Sequence, residues 1–161
     1  MKHIDIRDHA LKLLSMSKKF LLEDGDLDST AFIITHNNEQ LIRPIELDQE
    51  SSKLESCSKI VEEARKQMAS AIITIFLARS KDFDNIKFEQ EDYLWGDIQN
   101  SSSQRLILMT LSGPNIKNWA IALPFKILNG KIIFGKQVEY VAGVDLGFFP
   151  GWSEQQDPKI F

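Results

Sequence analysis

The chain has 161 residues, of which 43% are hydrophobic and 26% charged, and carries a formal charge of −4. That length suits one domain and lets roughly two-thirds of the unfolded surface be buried, so a core forms without metal or disulfide support. The composition excludes wholesale disorder. The 19 Lys and Arg residues are interspersed among 23 Asp and Glu, which leaves no basic face for a phosphate backbone or an anionic membrane. Neither nucleic acid nor membrane is expected as a partner.

The single cysteine, Cys57, permits no intramolecular disulfide and fits a reducing compartment. Met1-Lys2-His3-Ile4-Asp5 places charges where a secretory leader needs an apolar run. No stretch approaches the ~18 consecutive apolar residues that span a bilayer. These features predict a soluble, cytoplasmic protein.

In chain order, the first element is a helix over about Ile4 to Leu22, with Ile6, Ala10, Leu13, Leu14, Phe20 and Leu21 at three- and four-residue steps. Gly25 is its stop, because glycine accepts the left-handed conformation. Thr30 to Thr35, apolar on both faces, reads as a strand inside a sheet. Leu41 to Leu47 reads as its partner, and Pro44 assigns that partner to an edge, since proline donates nothing to a ladder. A second amphipathic helix runs from about Ser51 to Ser70 through Leu54, Cys57, Ile60, Val61, Ala64 and Met68, with Ser52 and Glu55 spaced as a capping box. Ala71 to Ala78 is an almost unbroken apolar strand, to be buried on both sides or completed by another chain.

Residues 80–103 form a long connection rich in acids and in Phe83, Phe88, Tyr93 and Trp95. Three strands follow: Arg105 to Ser112, Lys117 to Ile127, and Lys131 to Tyr140. Asn129-Gly130 joins the last two as a hairpin turn. Ala120 and Ala122 leave room for a helix on one face of the middle strand. The expected architecture is α+β: a mainly antiparallel sheet of five to six strands with two helices packed on it, both on one face, in the order α-β-β-α-β-β-β-β. Residues 1–140 make the domain, and 141–161 a tail that packs on it or on a partner. Over roughly Ser29 to Tyr140 this element order resembles the roadblock and longin-like scaffolds. That resemblance implies a small sheet-and-helix domain that dimerises and docks on other proteins; no residue motif accompanies it.

The chemistry-bearing patterns all break. Gly130 to Lys136 matches G-x-x-x-x-G-K, but Gln137 stands where Ser or Thr belongs, and its apolar middle continues a hairpin instead of opening a helix. The acids of Asp24-Gly25-Asp26-Leu27-Asp28 lack the later glycine and glutamate of a calcium loop. His3, His9 and His36 show no zinc-ligand spacing, and no G-x-S-x-G elbow occurs. Cys57 falls on an apolar helix stripe, as a core residue. No catalytic, cofactor or metal residue is therefore assigned, and no cofactor is expected.

Two features point to association. The 80–103 connection mixes acids with aromatics, and the tail carries Phe148-Phe149-Pro150-Gly151-Trp152. Aromatic side chains bury large area at low entropic cost and dominate interface hot spots. Phe76, Tyr93, Trp95, Phe148, Phe149 and Trp152 are the candidate interaction residues of a homodimeric, non-catalytic interaction module. The alternative is a small-molecule-binding protein or enzyme with a pocket under the 80–103 connection near Arg79 and Asp82.

Overall fold

The computed structural model describes residues 5–46, 50–79 and 105–141, together with Phe149 and Trp152. The elements are α1 (Ile6–Asp24), β1 (Thr30–Ile34), β2 (Gln40–Pro44), α2 (Glu50–Lys66), β3 (Ala71–Arg79), β4 (Arg105–Gly113), β5 (Ile116–Leu128), β6 (Lys131–Phe134) and β7 (Val138–Val141). They form the expected α+β class, with every strand pairing antiparallel. The sheet order is β2-β1-β3-β4-β5-β6, and β7 also pairs with β5.

Local chemistry explains the boundaries. The Asp5 carboxylate accepts from the backbone N–H groups of Arg7 and Asp8, capping α1. Gly25, at φ 74°, ends it and donates to the Leu21 carbonyl at 2.8 Å. Asn129 and Gly130, both at positive φ, make the tight turn between β5 and β6. Gly113 closes the turn after β4, where a Cβ would lie 2.4 Å from the Ser70 carbonyl oxygen. The capping box does not hold: α2 starts at Glu50, so Ser52 and Glu55 lie inside it.

Segments β6 and β7 act as one edge strand with an extra residue. Phe125 pairs with Phe134 and Ala122 with Val138, so three steps along β5 meet four along the other strand. Such a bulge shifts the side-chain alternation by one. It brings Phe134 and Glu139 to the same face, opposite Phe125 and Ile121. Seven segments make the sheet, six of them on one path and β7 beside β6 on the same edge, against the expected five to six strands.

The two helices cover opposite faces, which corrects the expectation of one shared face. Ala10, Leu13, Leu14 and Leu21 of α1 pack with Ile73, Ile75, Ile107, Met109, Trp119 and Ile121. Cys57, Ile60, Val61 and Ala64 of α2 pack with Ala31, Ile33, Ile72, Phe76, Leu106 and Leu108. The reason lies in β3 and β4, which are apolar at odd and even positions alike; each face must be shielded from water. On the α2 face the only polar side chains in the middle of β3 and β4, Thr74 and Thr110, are register partners and hydrogen-bond to each other.

Strand β3 lies between β1 and β4. It is thus completed within its own chain, and the idea that another chain pairs with it does not hold. Phe149 and Trp152 belong to the α2-face core, in the cluster that contains Ala120 and Ala122. An aromatic from the tail, not a helix alone, answers the room those alanines leave. Trp152 is 3% exposed, and its indole N–H finds no acceptor among the described residues.

The end of α2 carries a strained residue. Met68 lies at φ 49°, donates to the Arg65 carbonyl, and is followed by an Ala69 N–H that reaches back to Ala64. That is the glycine position of a Schellman cap, filled here by methionine. Met68→Gly is expected to raise the unfolding free energy by about 0.5–1 kcal/mol in chemical denaturation, the relief of left-handed strain exceeding the entropic cost of glycine. In the same assay, Trp152→Ala is expected to cost about 3 kcal/mol, whereas Trp152→Phe, which removes the orphaned donor but keeps a ring, costs less than about 1 kcal/mol.

Candidate functional site

The aromatic residues singled out above do not gather into one surface. Phe76 is 2% exposed, inside the α2-face core with Trp152 and Phe149. Tyr93, Trp95, Phe148 and Asp82 lie outside the described residues. The backbone of Arg79 pairs with Arg105 at the end of β3, while its side chain also lies outside them. The pocket alternative therefore has no geometry to build on.

A different group of residues is brought together instead. Three contacts orient α1 over the sheet. The His9 Nε2 lies 2.6 Å from Gln40 Oε1 on β2, so His9 marks the flank of the helix that faces β2. The guanidinium of Arg7 sits 5.1 Å above the Trp119 ring, and the Lys18 ammonium 5.1 Å from the Phe134 ring, marking the flank toward β5 and β6. Met16 and Phe20 follow His9 by about two and three helical turns, placing them on the β2 flank. They are 52% and 47% exposed. On the same face of the sheet lie Phe32 of β1 and its register partner Ile42 of β2, which is 57% exposed. Sequence periodicity put Phe20 on the buried stripe. The helix buries a narrower arc, Ala10, Leu13, Leu14, Ser17 and Leu21, and leaves Phe20 on its shoulder.

Beside this flank, β2 has a strand neighbour on one side only among the described residues. The bonds from Ile45 N–H to Ser29 O, at 3.1 Å, and from Thr35 N–H to Glu39 O, at 2.9 Å, fix the alternation along β2. Odd residues bond to β1, so the backbone groups of Gln40, Ile42 and Pro44 point away from the sheet. Pro44 stands where its missing N–H would face outward, which is why the edge tolerates it. The opposite edge is guarded. Its strand is broken by the bulge, and the basic side chains of Arg7 and Lys18 lie over its neighbouring aromatic rings. Trp119 is held further by its Nε1–H donating to Glu139 at 2.5 Å.

On the α2 side of β2, Arg43 forms a bidentate pair with Glu63, at 2.7 Å from Nε and 2.6 Å from Nη2, and its Nη1 donates to the Ile42 carbonyl. The Arg43 hydrogen bonds hold the Glu63 carboxyl below the usual carboxylate range, and Glu63 raises Arg43 in turn. Burial pushes the Cys57 thiol up, as suits its place in the core. His36 Nδ1 lies 3.0 Å from the Gln67 carbonyl oxygen. Among the described residues no group of three or more His, Cys, Asp or Glu could hold a metal ion, and no helix is long and apolar enough to cross a membrane.

No protein-family model, curated protein or solved structure matches the chain.

The Arg43–Glu63 pair ties the edge strand to α2 and gives it a pH dependence. Glu63 has a lowered folded-state pKa, so its contribution is complete above the ordinary carboxylate range and disappears as pH falls through that lowered value. The pair is partly solvated, which limits it to about 1 kcal/mol or less. The stability gap between the wild type and Glu63→Gln, measured by urea titration, is expected to stay constant from neutral pH down to the ordinary carboxylate range and to close below it.

Proposed function

We propose that this chain is a non-catalytic protein-interaction module, docking a partner across the β2 edge and the adjoining flank of α1. One observation carries the reading: Met16 and Phe20 on the β2 flank of α1, and Ile42 on β2, are each large, apolar and exposed, beside a strand whose outward backbone groups have no neighbouring strand among the described residues. Large apolar side chains left exposed on the face that borders an unpaired strand edge are the pattern of a docking site. Burial of such side chains supplies affinity, and the free N–H and C=O groups supply direction. The single cysteine, buried and unpaired, supports a reducing, cytoplasmic setting.

Photo-reactive amino acids introduced in living cells test the reading. A probe at Phe20 is expected to give discrete covalent adducts with protein, and a probe at the exposed Glu55 on the far side of α2 none. Absence of adducts from position 20 would remove the proposal. Because Phe20 is half exposed, Phe20→Glu is expected to alter folding stability by no more than about 0.5 kcal/mol, so loss of adducts from a second probe at Met16 in that background reports on docking.

A further inference from the structure

We infer that Asn129 is a self-modifying site. In the folded chain its side-chain amide is lost to attack by the backbone nitrogen of Gly130, and the isoaspartate that forms loosens β6 from the sheet. That strand lies at the far end of the sheet path from β2, so the docking reading is not involved.

The reaction takes water as its only co-reactant. The Gly130 nitrogen bonds to the Asn129 Cγ, the Cγ–Nδ2 bond breaks, and the proton of the Gly130 N–H leaves with the amide as ammonia. A five-membered imide remains. Water then adds to one of its two carbonyls and breaks that carbonyl's bond to nitrogen. Opening at the side-chain carbonyl gives aspartate. Opening at the main-chain carbonyl gives isoaspartate, in which the chain runs through Cβ and Cγ.

Ring closure needs a following amide nitrogen that is free of other bonds, unshielded by a side chain and able to rotate. The other described asparagines fail on this ground. After Asn37, the Asn38 N–H is given to the Thr35 carbonyl at 2.9 Å. After Asn38, the Glu39 N–H goes to Thr35 Oγ1 at 3.1 Å. Asn115 precedes the β-branched Ile116, which pairs with Gly113, and Asn118 precedes Trp119, which stands between Leu111 and Val141. At the hairpin turn, Leu128 and Lys131 make the closing pair, and the Gly130 amide has no backbone bond among the described residues. Asn129 and Gly130 are exposed. A Cβ on Gly130 would meet nothing within 4 Å, and glycine rotates through either sign of φ at little cost.

Asp24-Gly25 shows what protection looks like in the same chain. An aspartate before glycine forms the same imide by losing water, and Gly25 is as open as Gly130, at φ 74° against 77°. Its amide, however, is held by the Leu21 carbonyl at 2.8 Å in the cap of α1. The nucleophile is engaged there and free at Gly130.

The damage follows from turn length. A two-residue turn sets the register Leu128–Lys131, Ile127–Ile132, Lys126–Ile133 and Phe125–Phe134. Isoaspartate adds one backbone atom inside that turn, so the four pairs cannot all be kept. Among the described residues β6 has no strand on its outer side to hold it. Its Phe134 ring packs edge-on against Phe125, with centroids 6.2 Å apart, and lies under the Lys18 ammonium. Both contacts weaken when β6 lifts.

Ageing the purified full chain in mildly alkaline buffer, with peptide mapping by mass spectrometry, tests the proposal. In the folded chain the mass gain of amide-to-carboxylate exchange is expected at Asn129 before any other described asparagine, with the peptide split into aspartyl and isoaspartyl forms. Backbone amides of residues 131–134 are expected to exchange hydrogen at least about tenfold faster in the isoaspartyl fraction, those of β3 being unchanged. Asn129→Gly keeps a left-handed turn and lacks the amide, so the same ageing is expected to leave its β6 exchange as it was. Retention of the Asn129 amide over the time in which the chain in guanidinium chloride converts overturns the site, as does earlier conversion of another described asparagine. Unchanged β6 exchange in the isoaspartyl fraction overturns the loosening, as does equal loosening in aged Asn129→Gly.

Discussion

Strand β3 is enclosed on four sides, and the rest of the molecule is arranged around that enclosure. Its backbone bonds to β1 on one edge and β4 on the other, and Ile72, Ile73, Ile75 and Phe76 are buried alternately on the two faces. Each fully buried side chain of this size contributes roughly 1.5–3 kcal/mol relative to exposure, which holds only if both faces are shielded. One helix per face meets that requirement, and on the α2 face the tail aromatics join in. The one hydroxyl in the middle of the strand, Thr74, is tolerable because the register delivers Thr110 to it.

With the centre closed, the periphery is left with the two edges of the described sheet, and they are unlike. The β6–β7 edge combines a bulge with cations laid over Trp119 and Phe134, devices that discourage strand addition. The β2 edge carries Pro44 at one end, and α1 reaches it through the His9–Gln40 contact at the other. The only strong ion pair among the described residues, Arg43–Glu63, is also here. It fixes the edge strand to α2 and holds the guanidinium in place beside the free backbone groups.

Much of this architecture was legible in the residues. Gly25, Pro44 and Asn129-Gly130 marked a helix stop, an edge and a hairpin because each acts through local backbone geometry. The alternation of Trp119, Ile121, Leu123 and Phe125 foretold one face of β5. Placing each helix on a face was not legible: β3 is apolar on both sides, so it constrains neither helix to a side. Of the two readings open for Ala71 to Ala78, burial on both sides holds and completion by another chain does not; a central strand and an uncovered one have the same apolar composition, so the residues could not choose between them. The docking flank was missed because it has no motif. Met16, Phe20 and Ile42 are distant in sequence and ordinary in type, and only the crossing of α1 over the sheet makes neighbours of them. The His9–Gln40 contact that reveals that crossing has no sequence signature.

The sheet topology also sets a time order. From β4 to β6 each strand pairs with its predecessor in the chain, and the tightest closure, at Asn129-Gly130, spans a single turn. Hairpins of that kind form within about 1–10 μs, and short closures carry the least entropic cost. Pairing of β1 with β3 joins strands that β2 and α2 separate in the chain, so it belongs to the late, long-range stage of assembly. The β2 edge comes into its working position only with that last seam. A half-assembled chain therefore lacks the β2 edge in its native place, and on the proposed reading recognition would report completed folding.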